Sequence, residues 1–191
     1  MGDLREQLAT AVPAVAHLLV FHSKGCQHPP YNELGLTDSF KKFSCDILAH
    51  SPIVDPRGRR IKIIENNFPK FLNLEPKKKG DPARPIVLVR MLKEGTLQED
   101  AYKWELDRIE DLFWICDVLR TPDAIYPNIH RVVVADEVYV KVYDKLGSNV
   151  KLVFTRNIKA THETIVVTSY LTKPNRAIAC VTGQPLWPRH K

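Results

Sequence analysis

The sequence is poor in the features that most often announce a function. Its four cysteines, Cys26, Cys45, Cys116 and Cys180, are widely scattered, and no Cys-x-x-Cys pair occurs. That spacing argues against a disulfide framework or a standard zinc module, and predicts reduced thiols in a cytoplasmic setting. No His-Glu-x-x-His, Walker loop, Gly-x-Gly-x-x-Gly or Gly-x-Ser-x-Gly occurs, so zinc proteases, the common nucleotide binders and nucleophile-elbow hydrolases lack support. No apolar run approaches the roughly 18 residues that span a bilayer, so no membrane partner is expected. The N-terminus lacks a basic stretch followed by a continuous apolar one, the pattern of a signal peptide. His22, Cys26, His28, Cys45 and His50 are residue types that can bind a metal. Their spacing fits no zinc pattern, and loop polarity explains them more simply. No metal and no cofactor is expected.

What the chain does hold is an ordinary globular composition. Of 191 residues, 44% are hydrophobic and 26% charged, enough apolar surface to build a core. The net charge of +6 favours an anionic partner. The charge is uneven. Arg57, Arg59, Arg60, Lys62, Lys70, Lys77, Lys78 and Lys79 face only Glu65 and Glu75, so this stretch alone carries an excess equal to the net charge. Such a run is either a solvated surface or a phosphate-tracking one.

Periodicity predicts an α+β fold. Apolar residues at Leu4, Leu8, Val12, Val15 and Leu18–Leu19 have helical spacing, broken by Pro13. A second helix is expected from Asp38, as N-cap, through Phe40, Phe43 and Ile47 to Ala49. Asp55-Pro56-Arg57-Gly58 reads as a turn leading into a short strand at Arg60–Ile64. Pro76–Pro85 reads as a loop or linker, and Ile86–Met91 as a strand. A long amphipathic helix is expected from Gln98 to Arg120, with Tyr102, Leu106, Ile109, Phe113, Cys116 and Leu119 on one stripe. Three strands should follow, Glu137–Tyr143, Val150–Arg156 and Thr164–Leu171, with a fourth through Val132–Val134. Alternation along these strands suggests that Tyr139, Lys141, Thr168 and Tyr170 share a face. The expectation is N-terminal helices, the long helix and a small antiparallel sheet of about four strands.

The late sheet offers a set of groups for phosphodiester chemistry. Such a site needs a base for the attacking hydroxyl, an acid for the leaving oxygen and donors for the charge building on phosphorus. His162 and His50 are the acid/base candidates. Arg156 and Lys141 are candidates to hold phosphate, and Thr168, Ser169 and Tyr170 to donate hydrogen bonds. Each has a plain structural alternative: a solvated turn histidine, a strand-end arginine, strand residues chosen for packing.

The order DLFWICDVLRTPDAIY (111–126), EVYVKVYDKLGSNVKLVFTRN (137–157) and ETIVVTSYLTK (163–173) resembles the phage-associated barnase–EndoU–colicin–RelE-like (BECR) nucleases. HSPIVDPRGRRIKIIENNFPKFLNL (50–74) would be the opening part of the resemblance. The resemblance implies a nuclease domain over 48–173, a 1–47 helical extension and a 174–191 tail. It implies metal-independent RNA cleavage through attack of the ribose 2′-hydroxyl, leaving a 2′,3′-cyclic phosphate, in a toxin or phage effector with an immunity or antitoxin partner. Thr168, Ser169, Tyr170 and Arg156 carry over to its closing strands. Arg57, Arg59, Arg60, Lys62, Lys77, Lys78, Lys79 and Lys141 are the residues expected to contact RNA. The alternative is an inactive RNA- or protein-binding module of the same fold.

Overall fold

The structure is a computed structural model. It describes residues 34–105, 107–129, 133–143, 149–181 and 183–188. All belong to the second of two compact units, Tyr31–Lys191. The helix expected over Asp3–Leu19, together with His22, Cys26, His28, His130 and Val132, lies outside the described residues.

The fold is α+β. Helix α1 (Leu36–Asp46) is followed by β1 (Ile53–Val54) and β2 (Arg60–Lys62), then by α2 (Phe68–Phe71), β3 (Glu75–Pro76), α3 (Pro85–Glu94) and β4 (Tyr102–Lys103). Next come α4 (Asp107–Arg120), β5 (Ala124–Pro127), β6 (Glu137–Tyr143), β7 (Asn149–Ile158), β8 (Glu163–Thr172) and α5 (Pro174–Ile178). One sheet has six strands in the order β1-β2-β8-β7-β6-β5, and β3 pairs with β4 in a second. β2 runs parallel to β8, so the large sheet is mixed rather than purely antiparallel, and larger than the four strands expected.

Three readings are corrected. Ile86–Met91 is helical, within α3. Pro85 stands at its N-terminus, where a missing N–H costs nothing, and Gly95 closes it in a left-handed conformation. Leu88, Val89 and Leu92 bury one side, a helical spacing that a run of β-branched residues had masked. The long helix begins at Asp107, not Gln98: Tyr102 pairs with Pro76 across β3–β4, and its hydroxyl donates to the Pro82 carbonyl at 3.1 Å. The run 76–85 is the expected loop over 77–84, with Pro76 ending β3 and Pro85 opening α3, and it stays within one compact unit rather than linking two. Val133 and Val134 are outside any strand.

The N-cap of α1 is Gly35, with Asp38 in the first turn. The free amides of Leu36 and Thr37 donate to Glu99 Oε2 and Oε1 at 2.9 and 2.8 Å. A carboxylate 63 residues away thus supplies the cap that Asp38 was expected to supply, an interaction worth about 1 kcal/mol.

The main core lies between α4 and the inner face of the sheet. Leu112, Ile115, Val118 and Leu119 meet Ile53, Ile61, Tyr139, Val153 and Val166, while Phe40, Phe43, Phe68 and Phe71 extend it under α1 and α2. The sheet's outer face is apolar along one half: Val138, Val140, Leu152 and Phe154 are buried. Helix α5 packs on this half, with Ala177 and Cys180 buried. Residues 34–47 and 174–181 are thus built into the same unit as the strands.

Candidate functional site

Register decides which predicted residues meet. Across β6, β7 and β8, Tyr139, Val153 and Ser169 stand opposite one another, as do Val138, Phe154 and Thr168, and Val140, Leu152 and Tyr170. Cross-strand partners share a face. Tyr139 and Lys141 therefore lie on the inner face with Ser169, whereas Thr168 and Tyr170 lie on the outer. The expected sharing of a face is wrong, because alternation within a strand says nothing of the offset between strands.

Thr168, Ser169 and Tyr170 do not form an open site. Thr168 and Ser169 are buried. Tyr170 stacks on Phe154 at 5.4 Å between ring centres, with its hydroxyl 3.4 Å from Cys180 Sγ beneath the C-terminal segment. Lys141 is drawn inward, its Nζ at 2.8 Å from Asp117 and 2.6 Å from Thr121 of the α4 end. His50 ends a short 3-10 turn and is exposed. The β1–β2 register puts its neighbour Ser51 level with Ile63 and Val166, roughly 13 Å along the sheet from His162 before two strands are crossed. Lys77, Lys78 and Lys79 are exposed in the loop beyond β3, a strand of the smaller sheet.

What does converge is the opposite end of the sheet. The turn of the β1–β2 hairpin is the expected one: Gly58 N–H donates to the Asp55 carbonyl at 2.9 Å, with Gly58 at φ 81°. Asp55 Oδ1 also accepts the amides of Arg57 and Arg59, at 2.9 and 2.8 Å. The turn aims both arginines across the inner face. Arg57 reaches Glu137 at 2.8 Å and the Tyr139 hydroxyl at 2.7 Å, and Arg59 reaches the same two groups. Tyr139 in turn donates to Asp55 Oδ2 at 2.6 Å. Two guanidiniums and two carboxylates make a neutral, largely buried cluster. Arg57 and Arg59, expected to hold RNA, are instead engaged in bolting the hairpin to β6.

Burial alone would raise the Asp55 carboxyl, but the Tyr139 hydroxyl, the Arg59 amide and the Arg57 charge outweigh it and hold it below its ordinary 3.8. Burial and the hydrogen bond to Asp55 push the Tyr139 phenol far up, so it stays neutral. Because the folded carboxyl is the stronger acid, Asp55 stabilises the fold above its unfolded value of about 3.9 and loses that contribution as pH falls through the folded one. The wild type should therefore lose stability progressively below about pH 4. Asp55→Asn should be less stable at neutral pH and show a flatter acid limb in urea titrations. An unchanged acid limb would remove Asp55 from the account.

The other face of this end is open. Lys62, Ile165 and Arg156 stand side by side on β2, β8 and β7. Arg60 and Glu163 lie two residues away on the same face, and Lys62 pairs with Glu163. The β7–β8 turn, residues 159–162, adds Lys159 and His162, both exposed, with His162 left-handed at φ 54°. Arg60, Arg156 and Lys159 are exposed and pair with no carboxylate among the described residues. Beside them β7 outruns β6. Asn157 N–H is capped by Asp136 Oδ2 at 2.7 Å, and an open concavity of about 540 Å³ is lined by Asp136, Arg156, Asn157, Ile158, Lys159 and Ala160. His162 ends the β7–β8 turn, immediately before Glu163 at the start of β8.

The structure thus brings together His162, Arg156, Arg60 and Lys62 of the predicted set, and separates them from His50, Lys141, Thr168, Ser169 and Tyr170; Lys77–Lys79 belong to the loop after β3 of the smaller sheet. Sequence reasoning missed Lys159, whose signal was its place in a short strand connection already holding His162. Among the described residues no group of three or more His, Cys, Asp or Glu is arranged to hold a metal ion, and no helix is long and apolar enough to cross a membrane. No family model, no curated protein and no solved structure matches the chain.

Proposed function

We propose that the chain is a metal-independent endoribonuclease of the BECR kind, working at the β7–β8 end of the sheet. The observation that carries this reading is the grouping of His162 with the unpaired cations Arg60, Arg156 and Lys159 on one exposed rim. The order of motifs from α4 through β8 supports it, as does the basic excess. His162 takes the proton of the ribose 2′-hydroxyl, whose oxygen attacks phosphorus. The bond to the 5′-oxygen breaks, leaving a 2′,3′-cyclic phosphate, and Lys159, in the same turn as His162, gives the departing oxygen its proton. Arg60 and Arg156 oppose the negative charge on the phosphorane. The test is incubation of the full chain with RNA in EDTA. Products ending in 2′,3′-cyclic phosphate are expected; cleavage wholly dependent on added divalent metal, or none at any pH, excludes the mechanism.

A second reading is favoured by one observation. The other expected catalytic groups are elsewhere, and Glu163, the carboxylate next to His162, is tied to Lys62. With one histidine on the rim and its neighbouring carboxylate engaged, the rim also suits an inactive RNA-binding module. RNA retention without cleavage in the same assay is its signature. A role as toxin or effector, and an immunity or antitoxin partner, belong to this proposal and rest on the resemblance.

A further inference from the structure

We infer that the outer face of β2, β8 and β7 is a track for single-stranded RNA that engages about three phosphates through Arg60, Arg156 and Lys159. The inference rests on the RNA reading above and adds the form of RNA and the count of contacts. Charge comes first. Arg60, Lys62, Arg156 and Lys159 carry four positive charges against Glu163 and Asp136; Glu163 already neutralises Lys62, and Asp136 caps the Asn157 amide rather than pairing with a cation. Three cations are left facing water, with no carboxylate partner among the described residues.

Shape comes second. Arg60 and Arg156 stand two strands and two residue levels apart, about 12 Å across the outer face. Double-stranded RNA is read across two successive minor grooves, which needs a much longer surface. Apolar surface comes third. Half-buried Ile158 and Ile165 lie between the cations, and Val54, opposite Arg60, is 56% exposed. Unstacked bases can rest on such a surface, whereas a duplex keeps its bases stacked inside. The face lacks aromatic residues among these positions, so it holds backbone and reads little sequence.

The probe is a labelled 2′-O-methyl oligouridylate, which lacks the nucleophilic hydroxyl and cannot be cut by the proposed route. Its affinity for the full chain is measured by anisotropy in EDTA at several salt concentrations. Three phosphate contacts on a single strand give a log–log salt slope of about −2, so affinity should fall about 15-fold between 50 and 200 mM salt. Arg60→Ala and Arg156→Ala should each weaken binding several-fold and flatten the slope by about 0.7. Lys93→Ala, on α3, should change neither. Tighter binding of a duplex of equal length overturns the inference, as does a slope untouched by both arginine variants. If natural RNA is cut while those variants bind normally, the track is wrong and the nuclease reading stands. If the variants behave as expected and no RNA is cut, the track stands and the nuclease reading fails. Capture of an acidic protein with no oligonucleotide binding defeats both.

Discussion

Glu137→Ala is expected to lower the unfolding free energy by about 3 kcal/mol, the low end of the range for breaking a buried ion pair. The low end applies because the side chains of Arg57 and Arg59 remain 18% and 29% exposed, so water recovers part of the loss. The cost arises from what is left behind. Both guanidiniums would face the sheet interior with only Asp55 to balance them, and one buried carboxylate cannot neutralise two cations. For a unit of this size the melting temperature should fall by roughly 6–12 °C. Glu137→Gln keeps acceptor capacity but drops the charge, and should fall between Ala and wild type. Urea titration of the three proteins is the measurement. A change under about 0.5 kcal/mol for the alanine variant would mean that the cluster is a surface ion pair of the kind that contributes little.

The second large effect concerns chemistry. If His162 transfers the proton, its removal should slow RNA cleavage by about 100- to 10,000-fold. The substitution needs care, because His162 sits at φ 54°. Alanine is strained there, whereas Asn tolerates the left-handed region and Gly adopts it freely. His162→Asn should therefore keep the melting temperature while cleavage collapses, and His162→Gly should match it in activity. A rate within about tenfold of wild type in either folded variant assigns proton transfer to another group.

The sequence was most legible where structure is local. Glu137–Tyr143 alternates because both faces of β6 are spoken for, and in the Asp-Pro-Arg-Gly turn Asp55 accepts from the amides of Arg57 and Gly58. The failures are long-range. Ile86–Met91 looks like a strand by side-chain type, and only the punctuation of Pro85 and Gly95 marks it as a helix. Tyr102 keeps step with the stripe of α4 yet belongs to a ribbon paired 26 residues earlier with Pro76, and no periodicity records that. The basic run from Arg57 to Lys79 reads as one feature. In the fold, alternation splits it: Arg57 and Arg59 turn inward to Glu137, Arg60 turns outward, and Lys77–Lys79 leave for another loop. Thr168, Ser169 and Tyr170 were plausible donors until the β7–β8 register, with its irregularity at Phe154/Thr155, set them on opposite and covered faces.

The parallel pairing of β2 with β8 has a consequence for how the molecule forms. Lys62 and Glu163 are 101 residues apart in the chain, whereas the ends of the β7–β8 turn are neighbours. Closing the longer loop costs roughly 3 kcal/mol more in chain entropy than closing the hairpin. Strands β6, β7 and β8 can assemble among themselves, but β2 has nothing to dock against until they have done so. Arg156 and Lys159 need only the hairpin to be in place, whereas Arg60 needs β2 docked on β8. The cationic rim is therefore whole only once that long-range pairing has formed.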